Sequence, residues 1–279
     1  YSQSGMVSET SLFFITLGGV AQFVQYSRKF AGPINEFANI MHEFQSAFSA
    51  AERVFRIIDE EPEPADVENA LNLTDVKGEV IFRHVDFGYV PQKKILQDIS
   101  VDIKPGQTIA IVGPTGAGKT TIINLLMRFY DVNSGTITVD GKEICTIKRE
   151  DLRKAYTMVL QDTWLYNGTI MNNIRYGRLD ATDEEVIAAA KQVHVDQFVR
   201  TLPDGYNLVL NEEMNNISQG QMQLITIARA LLADPKILIL DEATSSVDTR
   251  TEVLIQKAML KLMVNRTSFI IAHRLSTIR

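Results

Sequence analysis

The feature that most constrains this 279-residue sequence is the stretch TIAIVGPTGAGKTT, residues 108–121. Its apolar, β-branched start predicts a buried strand, its glycines predict a loop, and its end predicts the beginning of a helix. Gly113 to Thr120 matches the pattern G-x-x-x-x-G-K-[ST], in which backbone N–H groups curl around phosphate oxygens and the helix dipole favours the anion. Lys119 is predicted to reach the β- and γ-phosphates, and the Thr120 hydroxyl to ligate Mg²⁺. The alternative, a glycine turn without a ligand, is disfavoured by the strand and helix on either side.

A second motif, KILILDEATSSVD, occupies residues 236–248. Ile237 to Leu240 predicts a buried strand, and Asp241 follows at its carboxyl end, where α/β sheets bind their ligands. Asp241 therefore suits an outer contact to Mg²⁺, and Glu242 suits a general base that orients water for attack on the γ-phosphate. A solvated acid at a strand end is the alternative for Glu242, and the preceding phosphate loop disfavours it. Together the two motifs indicate a magnesium-dependent NTPase.

A third stretch, NNISQGQMQLITIARALL, occupies residues 215–232. Ser218 and Gln221 form the pattern S-x-x-Q, which predicts a capping box at the start of a helix. A capped, exposed helix start that contains Gly220 is also a ready site for an anion. The two interpretations are compatible, and both are retained.

The first sixty residues have a different pattern. Apolar residues recur at alternating steps of four and three, which predicts one long helix with an apolar face; they are Phe30, Ile34, Phe37, Met41, Phe44, Phe48, Ala51, Phe55 and Ile58. Pro33 is expected to kink or bound this helix. Periodicity alone does not distinguish a soluble bundle helix from a membrane helix that faces a wet cavity. The following DEEPEPADVENA, residues 59–70, has the composition of a linker, and from Gly78 short β-branched runs alternate with helical patterns, as in α/β proteins.

Composition narrows the function classes. The net charge of −6 disfavours a broad nucleic-acid-binding surface, and the single cysteine, Cys145, allows neither an internal disulfide nor a cysteine-based zinc cluster. The start of the chain lacks the charged region of a signal peptide. Because the sequence also stops abruptly at IIAHRLSTIR, we expect it to be part of a longer polypeptide.

In their order along the chain, these motifs resemble those of ATP-binding cassette (ABC) exporters in which a membrane domain and an ATPase domain share one chain. The resemblance implies an α/β P-loop ATPase domain, with a mixed sheet core plus antiparallel β and helical subdomains, preceded by a transmembrane helix. Tyr89 matches the aromatic residue that would stack on adenine, and Gln161 matches the Q-loop glutamine. The residues that match the phosphate loop are Gly113, Pro114, Thr115, Gly116, Ala117, Gly118, Lys119, Thr120 and Thr121. The implied cofactors are ATP and Mg²⁺, with Thr120, Gln161 and Asp241 at the metal.

Other motif residues gain their roles from the same resemblance. ISQGQ matches the signature sequence, so Ser218, Gln219, Gly220 and Gln221 would contact ATP bound to a second ATPase domain. Asp248 matches the end of the D-loop. His273 matches the switch histidine at the γ-phosphate, which makes Glu242, His273 and Lys119 the implied catalytic residues. The implied partner is therefore a second half-transporter subunit, identical or related, with head-to-tail ATPase domains.

The resemblance also implies a domain organisation. Residues 1–58 match the end of an outer loop and the last transmembrane helix with its cytosolic extension, residues 59–77 form the linker, and residues 78–279 form the nucleotide-binding domain without its C-terminal end. The implied protein is a multi-pass subunit of the cell membrane with a cytoplasmic ATPase domain. It would export a drug, lipid or peptide and bind no nucleic acid.

Two departures from the family pattern are present. Gln219 replaces the commoner first glycine of the signature, and the preceding LNEEMNN has Asn211 and Met214 where glycines are usual, although Glu212 is retained near the expected coupling acid. A mechanical ATPase of DNA repair or chromosome organisation is the alternative function. It is disfavoured because no heptad run separates Lys119 from Ser218. A degenerate regulatory nucleotide-binding module is disfavoured by the complete motif set.

Overall fold

The structure is a computed structural model that describes residues 16–90, 92–160, 163–210, 216–242 and 248–272. The chain divides into two compact units, the first ending at Pro64 and the second beginning at Ala65. The helices are α1 (Leu17–Ile58), α2 (Lys119–Leu126), α3 (Arg149–Lys154), α4 (Ile170–Arg175), α5 (Asp183–Gln192), α6 (Val195–Val199), α7 (Gln219–Ala233) and α8 (Thr249–Met263). The strands are β1 (Val80–Phe87), β2 (Leu96–Ile103), β3 (Thr108–Ile111), β4 (Ser134–Val139), β5 (Lys142–Glu143), β6 (Tyr156–Val159), β7 (Gly168–Thr169), β8 (Val209–Leu210), β9 (Ile237–Glu242) and β10 (Thr267–Ala272).

The first unit contains the 42-residue helix α1. Its start is capped by the Thr16 hydroxyl, which accepts a hydrogen bond from the Gly19 N–H at 3.0 Å. The helix predicted from the apolar repeat is confirmed, and it runs through Pro33, which does not bound it. None of its side chains is buried. Among the described residues, no helix is both long enough and apolar enough to qualify as a membrane crossing.

The second unit contains a four-stranded antiparallel sheet in the order β2-β1-β4-β5. Strand β1 buries Val80, Phe82, Val85 and Phe87, with a register shift between Phe82 and Val85 that keeps the apolar side chains on the covered face. These residues share one apolar core with α2 and with Ile237 and Ile239 of β9. The antiparallel sheet therefore packs around the helix that follows the glycine loop.

A second four-stranded sheet, in the order β3-β10-β9-β6, is entirely parallel. Because side chains alternate along a strand, β9 directs Ile237 and Ile239 into the first core and Leu238 and Leu240 into a second one. That second core is formed mainly by helices α4 to α8. Burial of β9 on both faces explains its uninterrupted apolar sequence. The observed architecture is the mixed α/β fold that the resemblance implied.

The segment that opens the second unit is anchored to it at several points. The Asp66 carboxylate lies 3.0 Å from Nη1 of Arg149 and 3.4 Å from Nη1 of Arg128, and both arginines are buried. Leu73 is also buried, and the Asp140 carboxylate accepts the backbone N–H groups of residues 77–79. Residues 65–77, most of the predicted linker, thus lie in the same compact unit as the sheets.

Candidate nucleotide-binding site

The glycine loop, residues 112–118, leaves the carboxyl end of β3 and enters α2. Gly116 and Gly118 have φ values of +83° and +92°, a region that residues with a Cβ avoid. At Gly118 a Cβ would also lie 2.9 Å from Cγ2 of Ile95 and 3.0 Å from Cδ2 of Leu96. Gly118 is therefore required both for its backbone conformation and for the close approach of β2 to the helix start.

Helix α2 begins without a side-chain cap. Gly118 occupies the N-cap position, supplies no capping oxygen, and is followed by no acidic residue in the first turn. The other helices of eight or more described residues are all capped by a side-chain oxygen, from Thr16, Thr182, Ser218 and Asp248 respectively. Uncapped N–H groups at a helix N-terminus are unsatisfied donors with a positive dipole end. The start of α2 therefore fits a phosphate group.

Lys119 is the first residue of α2, and its ammonium group turns back over the loop. Its Nζ donates to the carbonyl oxygens of Gly113 at 2.8 Å and Pro114 at 3.2 Å. The lysine is thus held over the loop by weak neutral acceptors, which phosphate oxygens would outcompete as charged acceptors. The next residue, Thr120, is exposed.

The parallel sheet brings the other motifs to the same edge as the glycine loop. Ile271 of β10 pairs with Ile111 of β3 on one side and with Asp241 of β9 on the other. Asp241 is thus level with the end of β3 and two strands away, about 10 Å at the usual strand spacing. Glu242 pairs with Ala272, the residue before His273, and β6 ends at Val159, two residues before Gln161. Four motif segments therefore start from one carboxyl edge, as expected for a ligand site in a parallel sheet.

Tyr89 lies in the second unit beside α2. Its hydroxyl accepts a hydrogen bond from Nδ2 of Asn124 at 3.0 Å and lies 3.4 Å from Oγ1 of Thr121. Its ring is packed nearly perpendicular to those of Phe87 and Tyr130, at centroid distances of 5.1 and 5.0 Å. Tyr89 as a whole residue is about half exposed (46%) and so remains accessible to a ligand. The structure thus brings this aromatic residue to the helix that the glycine loop opens.

The signature segment opens α7 in the helical part of the unit. The Ser218 hydroxyl accepts from the Gln221 N–H at 3.3 Å, and the Gln221 side chain accepts from the Ser218 N–H at 2.9 Å. The predicted capping box is confirmed. Ser218 and Gln219 are exposed and Gly220 is buried. Within the described part of the chain, no hydrogen bond joins Ser218 to the glycine loop.

Asp248, predicted as the end of the D-loop, is the N-cap of α8. Its carboxylate accepts the Thr251 N–H at 3.0 Å. Hydrogen bonds from the backbone N–H and the side chain of Thr251 hold the pKa of Asp248 below its ordinary value. The capping role was not predicted, although the spacing of an Asp before a helical run could have indicated it.

Several predicted residues lie outside the described residues. They are Gln161, His273, and the segment that contains Asn211, Glu212 and Met214. For Glu242 the structure describes the backbone position in β9.

Arg229 of α7 is a partnered cation beside the Q-loop segment that the sequence patterns did not indicate. Its guanidinium donates to the carbonyl oxygens of Asn173 at 2.8 Å and Trp164 at 3.1 Å, and lies 5.4 Å from the ring centroid of Tyr176. Burial lowers the pKa of this guanidinium. Arg229 thereby connects the signature helix to the segment just after Gln161. A lone charge within the apolar run ITIARALL was the signal for a buried, partnered cation.

With this geometry established, comparison with known proteins defines the class. Residues 96–245, more than half of the chain, match the profile described as ABC transporter. The chain belongs to the ABC transporter family, and its second unit has the ABC ATPase fold.

Individual relatives agree with this assignment. The chain is 56% identical over 266 residues to the fatty acid ABC transporter ATP-binding/permease protein of Mycobacterium bovis, covering 95% of this chain and 42% of that protein. It is 41% identical over 272 residues to the β-(1→2)glucan export ATP-binding/permease protein NdvA of Brucella suis, covering 96% and 45%. A solved bacterial Atm1-family ABC exporter with ATP bound matches with a TM-score of 0.72 and 40% identity, over 94% of this chain and 46% of that chain. The chain thus spans less than half the length of these relatives.

Proposed function

We propose that this chain is the ATP-hydrolysing portion of an ABC exporter subunit, and that the whole protein uses ATP to move a substrate across a membrane. The observation that carries the proposal is the uncapped start of α2, which lies at the same sheet edge as Asp241 in a chain of this family. ATP binding follows from membership of the ABC transporter family.

The phosphates of ATP are assigned to the N–H groups of the glycine loop and of the first turn of α2. Lys119 moves from the carbonyl oxygens of Gly113 and Pro114 to the β- and γ-phosphates. Magnesium, when bound, neutralises phosphate charge; Thr120, Asp241 and Gln161 are the residues that would hold it. Adenine stacks on Tyr89.

Hydrolysis is assigned to residues at the ends of β9 and β10. Glu242 orients and activates the attacking water, and His273 contacts the γ-phosphate. Both belong to strands that pair directly, with Glu242 opposite Ala272. The register supports placing the two side chains on neighbouring positions of one edge.

The second half of each ATP site is assigned to a partner subunit. Ser218, Gln219, Gly220 and Gln221 lie at a helix start that has no hydrogen bond to this chain's own loop among the described residues. That arrangement supports a contact to ATP held by another copy or a related chain. The Asp248 end of the D-loop would lie at the same interface. Closure around ATP and reopening after hydrolysis would convert the chemistry into motion.

Membrane location and cargo belong to the whole protein. The M. bovis relative is named as a transporter and the B. suis relative as a glucan export protein, and both names support transport rather than the mechanical ATPase alternative. We assign residues 1–58 to the end of the membrane domain, residues 59–77 to the linker and residues 78–279 to the cytoplasmic ATPase domain. The cargo is assigned to the drug, lipid or peptide classes, and the relative named for a fatty acid supports a lipid.

The test uses the full chain in detergent with Glu242→Gln, which should block turnover while preserving ATP binding. We expect light scattering to show a shift from monomer to dimer on addition of Mg-ATP. The control variant adds Lys119→Ala, which should weaken ATP binding about 10- to 100-fold through loss of charged hydrogen bonds and leave the protein monomeric. Unaltered ATP turnover in Glu242→Gln would contradict the catalytic assignment of Glu242. A monomer with ATP bound would contradict the pairing of identical chains.

A further inference from the structure

Two residues of α2 reach the hydroxyl of Tyr89. Thr121 and Asn124 are three positions apart on the helix and therefore share a face. Nδ2 of Asn124 donates to the Tyr89 hydroxyl at 3.0 Å, and Oγ1 of Thr121, a buried residue, lies 3.4 Å from the same oxygen. The aromatic residue is thereby tied to the helix whose first turn is open to phosphate.

The ring of Tyr89 is also supported from the core. Phe87 is almost fully buried in the antiparallel sheet and packs perpendicular to Tyr89 at 5.1 Å. Tyr130, which follows the end of α2, packs perpendicular to it at 5.0 Å. These contacts limit the position of the ring, while the hydroxyl contacts fix its orientation relative to α2. A tyrosine has only two side-chain torsions, so one hydrogen bond at the far end of the ring restrains both.

We propose that Asn124 is a positioning residue for recognition of the nucleotide base. It lies five residues after Lys119, about 7.5 Å along the helix, and so connects the base-stacking ring to the phosphate-binding turn through one rigid element. The base and the phosphates of one nucleotide must be contacted at a fixed separation, and the Asn124–Tyr89 hydrogen bond sets that separation. This inference rests on the proposed function and deepens it by assigning the base contact to a preorganised pair.

If Asn124 positions Tyr89 for the base, its loss should weaken the binding of ligands that have a base and not of ligands that lack one. Without the Asn124 donor, Tyr89 samples orientations that do not stack on the base. Ordering the ring on binding then reduces the free energy of nucleotide binding. The glycine loop and Lys119 are unaffected, because Asn124 lies beyond the first turn of α2. Inorganic tripolyphosphate should therefore bind equally well with or without Asn124.

The experiment measures the dissociation constants of Mg-ATP and of Mg-tripolyphosphate for the full chain by calorimetry in detergent. We expect Asn124→Ala to weaken ATP binding about three- to tenfold, the usual effect of one hydrogen bond, and to leave tripolyphosphate binding unchanged. Tyr89→Phe should have the same effect because it removes the other partner. The double variant should be no weaker than either single variant, since the two act through one interaction.

The matched control is Asn172→Ala in α4, which removes an exposed helical asparagine whose Oδ1 accepts a hydrogen bond from Nη1 of Arg175 at 3.1 Å. This variant should leave the dissociation constants of both Mg-ATP and Mg-tripolyphosphate unchanged. Equal weakening of both ligands in Asn124→Ala would overturn the proposal, because it would assign Asn124 to the integrity of α2. Unchanged ATP binding in both Asn124→Ala and Tyr89→Phe would also overturn it. Absence of binding of either ligand to the unaltered chain would instead contradict the proposed nucleotide site itself.

Discussion

Helices α2 and α7 both begin at glycine-containing segments that the sequence assigns to phosphate contacts, and their first turns are built differently. At α2 the N-cap is Gly118, which offers no side-chain oxygen and has a φ of +92°. At α7 the N-cap is Ser218, which exchanges hydrogen bonds with Gln221 in a closed capping box. The start of α2 lacks a side-chain partner for its donors, whereas the start of α7 satisfies the N–H groups of Ser218 and Gln221 with its own side chains.

The difference assigns distinct roles to the two turns. The open turn of α2 favours an anion even in an isolated subunit, because no side chain in the described part of the chain caps its N–H groups. The capped turn of α7 is stabilised by its own side chains, and the Ser218 hydroxyl, which accepts from Gln221, can still donate its own proton. A surface of this kind suits a contact that forms and breaks during a cycle. The following predictions test this contrast.

The largest effect is expected from Gly118→Ala, which adds a Cβ at the N-cap of the open turn. The added Cβ meets Ile95 and Leu96 at 2.9 and 3.0 Å and forces a non-glycine residue into the left-handed region. We expect a loss of about 2–5 kcal/mol in the free energy of unfolding, and loss of ATP binding. Urea unfolding followed by the fluorescence of Trp164, the only tryptophan, measures the stability.

The control is Gly106→Ala, at a turn where φ is +76° and an added Cβ would meet nothing within 4 Å. It should cost only about 1–2 kcal/mol of backbone strain and preserve ATP binding. Equal losses in both variants would show that backbone strain alone, and not the packing of β2 against the helix start, makes Gly118 necessary.

A smaller effect is expected from Ser218→Ala, which opens the capped turn. Loss of the capping hydroxyl should lower the free energy of unfolding by about 1 kcal/mol. The matched variant Thr182→Ala removes the same kind of capping box from α5, where Thr182 pairs with Glu185. Both should lose similar stability, but only Ser218→Ala should weaken ATP-driven dimerisation of the Glu242→Gln chain. The same weakening with Thr182→Ala would assign the effect to helix stability.

The smallest effect concerns the charged cap of α8. The pKa of Asp248 is held below its ordinary value of 3.8, chiefly by hydrogen bonds from Thr251. A depressed pKa contributes stability above about pH 4, and this contribution is lost as the pH falls through the folded-state pKa. Asp248→Ser, which substitutes the neutral cap found at α7, should therefore reduce the loss of stability between about pH 5 and pH 3. An unchanged pH profile would contradict the role of Asp248 as an ionised cap.

Sequence patterns predicted those parts of the molecule that depend on local chemistry. The glycine loop, the buried strand before Asp241 and the Ser218–Gln221 capping box are each encoded within a few adjacent residues. The long helix from the apolar repeat is also confirmed, whereas its assignment to a membrane stays a prediction. The roles of Arg229 and Asn124 were not predicted, because their partners are far away in the sequence: Arg229 contacts Trp164 and Asn173, and Asn124 contacts Tyr89.

The chemical groups available to this protein and their local geometry follow from short stretches of sequence, because strand burial, positive φ at glycine and helix capping are properties of short segments. Long-range packing is needed to bring the ends of β3, β6, β9 and β10 to one edge and to anchor residues 65–77 through Asp66 to two buried arginines. Strand order and ion pairing depend on which segments, distant in sequence, bury their apolar surfaces against each other. The free energy of that burial belongs to the packed core as a whole and to no single motif.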